Sequence, residues 1–206
     1  MPDIAIRPAT PADGPAVGVL FCASAIHAYD AFFPPGTCAP FYTHDRHIPR
    51  WTQRIENLAP GHQLLVATIP DRKNDPSKRI IAGFIEVGPR DPESLDLAPS
   101  TPNIGEIHYI FCDPRFLGAG IGRALLVAGE DALRRTPITA TATTADVSEN
   151  QQQFVDTAVI HVFVENKEAC AFYERLGYVS LGKVQLDKEF RGMGYDVDSI
   201  WYQKKL

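Results

Sequence analysis

The strongest constraint on this chain is a glycine-rich turn that lies between an apolar segment and a helix-like one. Residues 110–126 read IFCDPRFLGAGIGRALL. The glycines at 118, 120 and 122 let the backbone approach a ligand, because they carry no Cβ. The free N–H groups in the first turn of the following helix, together with the helix dipole, form an anion site. The segment therefore predicts a strand, a turn suited to a pyrophosphate, and a helix.

This turn differs from two common phosphate-binding turns. A dinucleotide-binding fingerprint requires a third glycine where Arg123 stands, and no early βαβ unit surrounds the segment. A P-loop requires Gly-Lys-Ser/Thr, which is absent. Taken alone, the segment leaves a further interpretation open, in which the glycines only allow a helix to pack closely on a strand.

A second motif lies near the C-terminal end, where residues 166–178 read NKEACAFYERLGY. Asn166 is a suitable N-cap and Gly177 a suitable C-terminal cap for a short helix. Four side chains recur at helical spacing: Ala169, Phe172, Tyr173 and Leu176. On its own, this pattern is more typical of an amphipathic helix that buries aromatic residues in a core.

Apolar periodicity along the chain predicts a mixed α/β domain over residues 1–206, with a largely antiparallel sheet at its start. The predicted helices are Asp13–Tyr29, Phe41–Asn57 with an interruption near Pro49, Gly120–Arg135 and Asn166–Leu176. The predicted strands are 3–7, Leu64–Ile69, Arg79–Val87, Gly105–Cys112, Ala158–Val164, Tyr178–Leu186 and Tyr195–Gln203. Polar turns or irregular segments are predicted at Pro70–Ser77, Gly88–Asn103, 138–157 and Asp187–Gly194. No internal repeat or clear interdomain linker interrupts this pattern, so a single domain is expected.

Taken together, the two motifs resemble the GCN5-related N-acetyltransferase (GNAT) superfamily. Its first signature, Arg/Gln-x-x-Gly-x-Gly/Ala, is matched at Gly120 and Gly122, with the frequent extra glycine at Gly118. Its second signature is matched at Asn166, Ala169, Phe172, Tyr173, Gly177 and Tyr178. The resemblance runs from Ile104 to Tyr178 and extends more loosely to the strands at both ends. It implies an α/β fold with a mixed, mostly antiparallel central sheet flanked by helices, and with a splayed central strand pair.

The resemblance also implies acetyl-coenzyme A as a co-substrate, with direct transfer of its acetyl group to a primary amine. The implied cofactor-binding residues are Ile110, Phe111, Cys112, Leu117, Gly118, Ala119, Gly120, Ile121, Gly122, Arg123, Asn166, Ala169, Phe172 and Tyr173. Leu117 is a departure, because the family usually places Arg or Gln there. This departure puts in doubt a side-chain contact from residue 117 to the cofactor, but not cofactor binding by the backbone amides of the turn. Arg123 is a candidate to supply a phosphate contact instead.

The chemistry requires a base, because an alkylamine with a pKa near 10.4 is protonated at neutral pH. Glu106 is the expected base, since the family often places a glutamate on the strand before the glycine turn. Strand alternation predicts that Glu106, His108, Ile110 and Cys112 share one face, opposite Ile107, Tyr109 and Phe111. His108 titrates in the useful range, so the choice of base between it and Glu106 stays open. Tyr173 is expected to act as general acid towards the departing sulfur, and the backbone of residues 110–112 to supply the oxyanion donor.

Charge and composition restrict the partners. A net charge of −5 argues against nucleic-acid binding, since phosphate backbones require clustered basic residues, and it favours small or cationic ligands. Four scattered cysteines and the lack of a bilayer-length apolar run favour a reduced, cytoplasmic setting away from membranes, with a nuclear one not excluded. His44 and His47 could share a helical face, but no third ligand is apparent, so no metal is expected. The oligomeric state stays open between monomer and homodimer.

The acceptor has no readable signature, and several functional classes stay open. A small-molecule amine is favoured over a protein N-terminus or lysine, because no extra recognition domain or basic segment is present. A noncatalytic acyl-coenzyme A-binding module would keep the glycine turn without requiring Glu106 or Tyr173. A nucleotide-binding protein would prefer NAD or ATP.

Overall fold

The protein forms one seven-stranded sheet in a computed structural model that describes residues 3–71, 73–90, 103–137, 154–188 and 190–206. The strands are β1 (Ala5–Pro8), β2 (Gln63–Asp71), β3 (Asp75–Pro89), β4 (Ile104–Cys112), β5 (Thr157–Phe163), β6 (Val179–Asp187) and β7 (Val197–Lys205). Their order in the sheet is β1-β2-β3-β4-β5-β7-β6. The β4–β5 pair is parallel and every other neighbouring pair is antiparallel.

Helices cover both faces of the sheet. They are α1 (Gly14–Tyr29), α2 (His44–Glu56), α3 (Ile121–Arg134) and α4 (Lys167–Arg175). One face packs against α1 and α2 through an aromatic-rich core that includes Phe21, Trp51 and Phe84. The opposite face packs against α3 and α4 through a core that includes Leu125, Leu133 and Tyr173. The predicted sheet and flanking helices are therefore confirmed.

The two central strands diverge after a short pairing. Residues Ile104–Ile107 of β4 pair with Thr157–Ile160 of β5, and the pairing ends there. Both strands continue, β4 to Cys112 and β5 to Phe163, so a V-shaped gap opens between them. This is the splayed central pair that the family resemblance implied.

Helices α1 and α2 touch backbone to backbone. A Cβ built on Gly14 would lie 2.5 Å from the Cα of Thr52, and one on Gly18 would lie 2.7 Å from the Cα of Ile48. These two glycines are one helical turn apart and therefore lie on the same face of α1. Only residues without a side chain allow the helices to approach this closely.

Helix α2 is continuous through Pro49, so the predicted interruption is wrong. A proline removes one backbone hydrogen bond, here in the second turn of the helix. The apolar face of α2 outweighs this loss, because Trp51 and Ile55 are buried against the sheet. The helix also begins at His44 rather than Phe41, with Thr43 as its N-cap.

The predicted polar turn at Pro70–Ser77 is mostly strand, because β2 continues to Asp71 and β3 begins at Asp75. The Asp71 carboxylate accepts hydrogen bonds from the backbone N–H and the side-chain amide of Asn74, at 3.2 and 2.9 Å, which tightens the connection. Polar residues at an exposed hairpin end can still pair, so their polarity did not reveal the true length of the strands.

The other predicted loops fall partly outside the described residues. Residues 91–102 and 138–153 lie there, and so do most of the predicted irregular segments Gly88–Asn103 and 138–157. Of the remainder, β3 extends to Pro89, Phe154 bridges Pro137, and β5 begins at Thr157. The predicted loop Asp187–Gly194 contains a short 3-10 turn at Phe190–Gly192.

Candidate active site

The glycine turn presents an open concave backbone next to the mouth of the gap. Gly118 and Gly120 have φ angles of 75° and 88°, a left-handed conformation that favours glycine. A Cβ on either residue would meet no atom within 4 Å, so the space in front of them is open. Gly120 is the N-cap of α3, and the N–H groups of Ile121, Gly122 and Arg123 have no acceptor within the helix. The turn has the donors and the space that an anion requires.

The turn is fixed to the sheet by Asp113. The backbone N–H of Asp113 donates to the carbonyl of Ala82 at 2.9 Å, and its carboxylate accepts from the N–H of Arg115 at 2.9 Å. Burial alone would raise the pKa of Asp113, but the Arg115 guanidinium, 2.6 Å away, outweighs it and holds that pKa below its usual value. Leu117 is about half exposed at 52%. Its side chain has no polar atom, so phosphate binding at this position would use backbone groups.

Three separate segments converge at Gly122. A Cβ built there would lie 3.4 Å from Cζ of Phe172 on α4 and 3.5 Å from Sγ of Cys112 on β4. These are ordinary contact distances. A methyl group at Gly122 would therefore touch both Phe172 and Cys112. The two sequence motifs therefore meet in space beside the end of β4.

Along β4, successive residues direct their backbone N–H and C=O groups alternately towards β3 and towards β5. Because the N–H of Asp113 donates to Ala82, alternation directs the polar groups of Phe111 towards β3. The same alternation directs those of Ile110 and Cys112 towards the side from which β5 has diverged. The hydroxyl of Ser24 on α1 donates to the carbonyl of Cys112 at 2.8 Å. Of the three predicted backbone contacts, Ile110 and Cys112 thus face the gap, and Phe111 faces away from it.

Helix α4 follows β5, the strand that diverges from β4. The Asn166 carboxamide accepts a hydrogen bond from the N–H of Ala169 at 3.1 Å and so caps the helix. Tyr173 is 5% exposed, and burial followed by the influence of the Cys112 thiol raises its pKa above the ordinary value. Its hydroxyl therefore stays protonated through neutral pH and can donate a hydrogen bond. Burial also raises the pKa of Cys112 to about 12, which makes a thiolate nucleophile at this position unfavourable.

A β-bulge at His108 changes the predicted faces of β4. Tyr109 pairs with Glu86 and Ile107 pairs with Val87, so His108 is an extra residue in the ladder. Alternation therefore resets, and the prediction that Ile110 and Cys112 share a face with Glu106 is wrong. Ile107, Ile110 and Cys112 pack against the α3–α4 side, whereas Tyr109 and Phe111 pack on the α1–α2 side.

Glu106 and His108 nevertheless lie together, at the vertex of the gap. Nδ1 of His108 is 3.6 Å from Oε1 of Glu106, and each side chain is 10% exposed. His108 is the first residue of β4 beyond the pairing with β5. Both candidate bases are thus placed where the gap begins.

Further polar residues surround this pair, and sequence reasoning missed them. The His62 ring stacks on that of His108, with centroids 4.7 Å apart and planes at 18°. His62 Nδ1 lies 3.1 Å from Oε1 of Glu86, which is fully buried. Glu86 also accepts two hydrogen bonds from Arg54, one of them 2.6 Å from Nη2. These residues come from α2, the segment before β2, and β3, so no spacing along the chain connects them.

The structure offers no support for a metal at the His44–His47 segment. His44 is exposed, whereas His47 is buried between Tyr42 and Phe21, with Nε2 2.9 Å from the carbonyl oxygen of Phe41. Across the described ranges, no group of three or more His, Cys, Asp or Glu side chains is arranged to hold a metal ion. None of the described helices combines the length and apolarity that a bilayer crossing requires.

Comparison with known proteins gives both local and whole-chain similarities. Residues 60–180 match the model of the acetyltransferase (GNAT) domain. Mycothiol acetyltransferase of Salinispora arenicola is 32% identical over 80 residues, which are 39% of this chain and 21% of that protein. The chain thus spans about a fifth of the length of the curated relatives that it matches.

Solved structures share the fold over nearly the whole chain. PaiA N-acetyltransferase from Thermoplasma acidophilum, in complex with coenzyme A, superposes with a TM-score of 0.60 at 16% identity over 99% of each chain. Ribosomal-protein-alanine N-acetyltransferase from Brucella melitensis gives a TM-score of 0.60 at 22% identity, over 98% of this chain and 99% of that one. The family model covers more than half of the residues, and the splayed sheet, the glycine turn and the capped α4 occupy the positions that the resemblance implied: the chain belongs to the GNAT acetyltransferase family.

Proposed function

We propose that the protein transfers the acetyl group of acetyl-coenzyme A directly to a primary amine of a small molecule. The observation that carries this proposal is the V-shaped gap, which has an anion-binding turn on one side and a Glu–His pair at its vertex. A donor with a phosphate end and a thioester end fits such a gap lengthwise. A cationic amine fits its acidic vertex.

The residues on the donor side suit coenzyme A. The backbone N–H groups of Ile121, Gly122 and Arg123 would hold the pyrophosphate, with the exposed Arg123 side chain as an added positive charge. The open edge of β4 at Ile110 and Cys112 would pair with the amides of the pantetheine arm, as a neighbouring strand would. The bound cofactor supplies a thioester, whose acyl carbon is the electrophile. The Cys112 thiol stays neutral, which favours direct transfer over a covalent enzyme intermediate.

The acceptor side combines aromatic rings with the acidic vertex. The ring of Phe163, at the diverging end of β5, lies 5.3 Å from that of Tyr29 and 4.8 Å from that of Phe190. Phe32 packs 5.9 Å from Phe163 as well. Ring faces of this kind attract ammonium groups. The similarity to a mycothiol acetyltransferase further favours a small-molecule acceptor over a protein.

Tyr173 is suited to assist the leaving group. Its raised pKa makes complete proton transfer to a thiolate, with a pKa near 8.5, energetically uphill. A neutral hydroxyl nonetheless stabilises a developing thiolate by a charge-assisted hydrogen bond. The expected role of Tyr173 is therefore to donate a hydrogen bond while the C–S bond breaks.

The test is a screen of amines with acetyl-coenzyme A, in which thiol release is measured and the acetylated products are identified by mass spectrometry. The panel includes small alkylamines, arylalkylamines, amino acids, and peptides with free N-termini or lysines. Acetylation of small amines supports the proposal. Acetylation of peptides alone would replace the small-molecule acceptor by a protein one, and cofactor binding without turnover on any amine would indicate a noncatalytic module.

A further inference from the structure

We infer that His108 is the group that takes the proton from the acceptor ammonium, while Glu106 stabilises the resulting imidazolium and His62 controls when His108 is neutral. This inference rests on the proposed function and assigns the base within it. It follows from the proximity of Glu106 and His108, from one backbone hydrogen bond and from the stacking of two rings.

The tautomer of His108 is set by a backbone carbonyl. Nε2 of His108 lies 3.0 Å from the carbonyl oxygen of Pro89. A carbonyl can only accept, so Nε2 must carry the proton. In the neutral ring the lone pair is then on Nδ1, the nitrogen that faces Glu106. Glu106 and His108 are two residues apart on β4 and lie on the same face, and the bulge leaves His108 without a partner in the β3–β4 ladder.

The two polar atoms that face each other at the vertex are not hydrogen-bonded to each other. Nδ1 of His108 and Oε1 of Glu106 are 3.6 Å apart, which is too long for a hydrogen bond between them. A neutral imidazole nitrogen and a carboxylate oxygen are both acceptors. An N–H group placed between them can therefore point at Nδ1 while its positive charge remains close to the carboxylate.

The surrounding charges favour a neutral His108 before the substrate arrives. Burial, and next the stacked His62, lower the pKa of His108, and Arg54 acts in the same direction. Glu86 and the hydrogen bond to the Pro89 carbonyl oppose them, but Glu86 is itself paired with Arg54 and His62, and the pKa of His108 stays below its usual value. Among the described residues, the charged or titratable groups around the ring include Glu106 and Tyr109 from β4, Glu86 from β3, Arg54 from α2, and His62 from the segment before β2. His62 is thus a neighbour whose stacked ring can change the basicity of His108.

The reaction then balances in two proton movements. The acceptor R–NH₃⁺ gives one proton to Nδ1 of His108, and the neutral nitrogen attacks the acyl carbon. The C–N bond forms, the C–S bond breaks, and its electron pair leaves on sulfur. The second N–H proton is lost as the amide forms and ends on the thiolate with the help of Tyr173, and the imidazolium later releases its proton to solvent.

The first experiment requires no substrate. Imidazole ¹⁵N and ¹H resonances are recorded from pH 5 to 9 for the wild-type protein, for His62→Gln and for His44→Gln, an exposed histidine on α2 that serves as the control. His108→Gln identifies the resonance. We expect an Nε2–H tautomer for neutral His108, and an upward shift of its pKa in His62→Gln but not in His44→Gln. An Nδ1–H tautomer would overturn the inference.

The second experiment links this titration to catalysis. The acidic limb of the kcat/KM profile for an acetylated amine should move to higher pH in His62→Gln by the same amount as the NMR titration of His108, with the plateau rate little changed. His108→Gln should lose the limb and lower the plateau about 100-fold, while its affinity for acetyl-coenzyme A is retained. Turnover with a limb that does not follow His108 would overturn this inference and leave the acetyltransferase intact. Absence of turnover with every amine would contradict the proposed function itself.

Discussion

At the scale of single residues, the site depends on groups whose protonation is controlled by burial. Cys112 and Tyr173 both keep their protons at neutral pH, because burial disfavours their charged forms. Cys112 is thereby unfavourable as a nucleophile, and Tyr173 remains a hydrogen-bond donor. His108 is shifted in the opposite direction, towards a neutral base. Burial thus prepares each of these three residues for a different proposed role.

Replacing Tyr173 with Phe should lower kcat by about 100-fold, because the hydrogen bond to the departing sulfur is lost. The affinity for acetyl-coenzyme A should change by less than about threefold, since the aromatic ring and its packing are kept. Steady-state kinetics and calorimetric titration measure the two quantities. Tyr195→Phe is the matched control, because it removes the same hydroxyl from a side chain that is 40% exposed. A Tyr173→Phe variant with full kcat would remove the assigned role.

Gly120→Ala tests the turn by comparison with Gly36→Ala. Both glycines have positive φ, 88° and 82°, and at both a Cβ would meet no atom within 4 Å. Each variant should therefore lose about 1–2 kcal/mol of unfolding free energy from backbone strain. Only Gly120→Ala should also weaken binding of acetyl-coenzyme A, since only Gly120 precedes the N–H groups of α3. Equal loss of affinity in both variants would show that the turn does not hold the phosphates.

At the scale of elements, the sequence predicted the start of α3 and of α4 and the bounds of β4 closely, but it missed the continuity of α2, the length of the β2–β3 hairpin and the faces of β4. Asn166 and Gly120 predicted their helix ends because capping depends on one or two neighbouring residues. The bulge at His108 has no such local signature, since the residues around it are equally compatible with regular alternation. The contacts of His62 with His108 and of Arg54 with Glu86 join distant segments, so only the folded structure reveals them.

The contact between α1 and α2 makes a prediction that opposes helix propensity. Gly18→Ala in an isolated helix would stabilise it by about 1 kcal/mol. Here the added Cβ would lie 2.7 Å from the Cα of Ile48, and overpacking of this kind costs about 1–3 kcal/mol. We therefore expect a net loss of stability in urea unfolding. Val19→Ala, at an exposed position on the same helix, should change stability by less than about 0.5 kcal/mol. Net stabilisation by Gly18→Ala would show that the helices can separate at little cost.

At the scale of the whole molecule, an ion pair joins the first strand to the first helix. Arg7 on β1 donates two hydrogen bonds to Asp13, at 2.6 and 2.7 Å, immediately before α1. These bonds lower the pKa of Asp13 from 3.8 to about 2. A carboxylate with a depressed pKa stabilises the folded state fully above its unfolded pKa, and that contribution is lost as the pH falls from about 4 towards 2.

Arg7→Met should therefore lower the unfolding free energy by about 1 kcal/mol at pH 7, a modest value because Arg7 is 44% exposed. The difference from wild type should shrink as the pH falls below 4. Urea unfolding at pH 7, 5 and 3 measures it. Arg46→Met, which removes the same charge from an exposed position on α2, should show a smaller and less pH-dependent change. A difference for Arg7→Met that persists unchanged at pH 3 would contradict the assignment to Asp13.

The short pairing between β4 and β5 is a mechanically weak line in the sheet. Four strands lie on one side and three on the other, and only four residues of each central strand join them across the sheet. Under the proposed function, the pantetheine arm would hydrogen-bond to β4 where β5 has diverged, and it would link the two parts of the sheet while the cofactor is bound. Each round of cofactor exchange would then break and remake part of the sheet itself, so the resistance of the fold to shear would rise and fall with turnover.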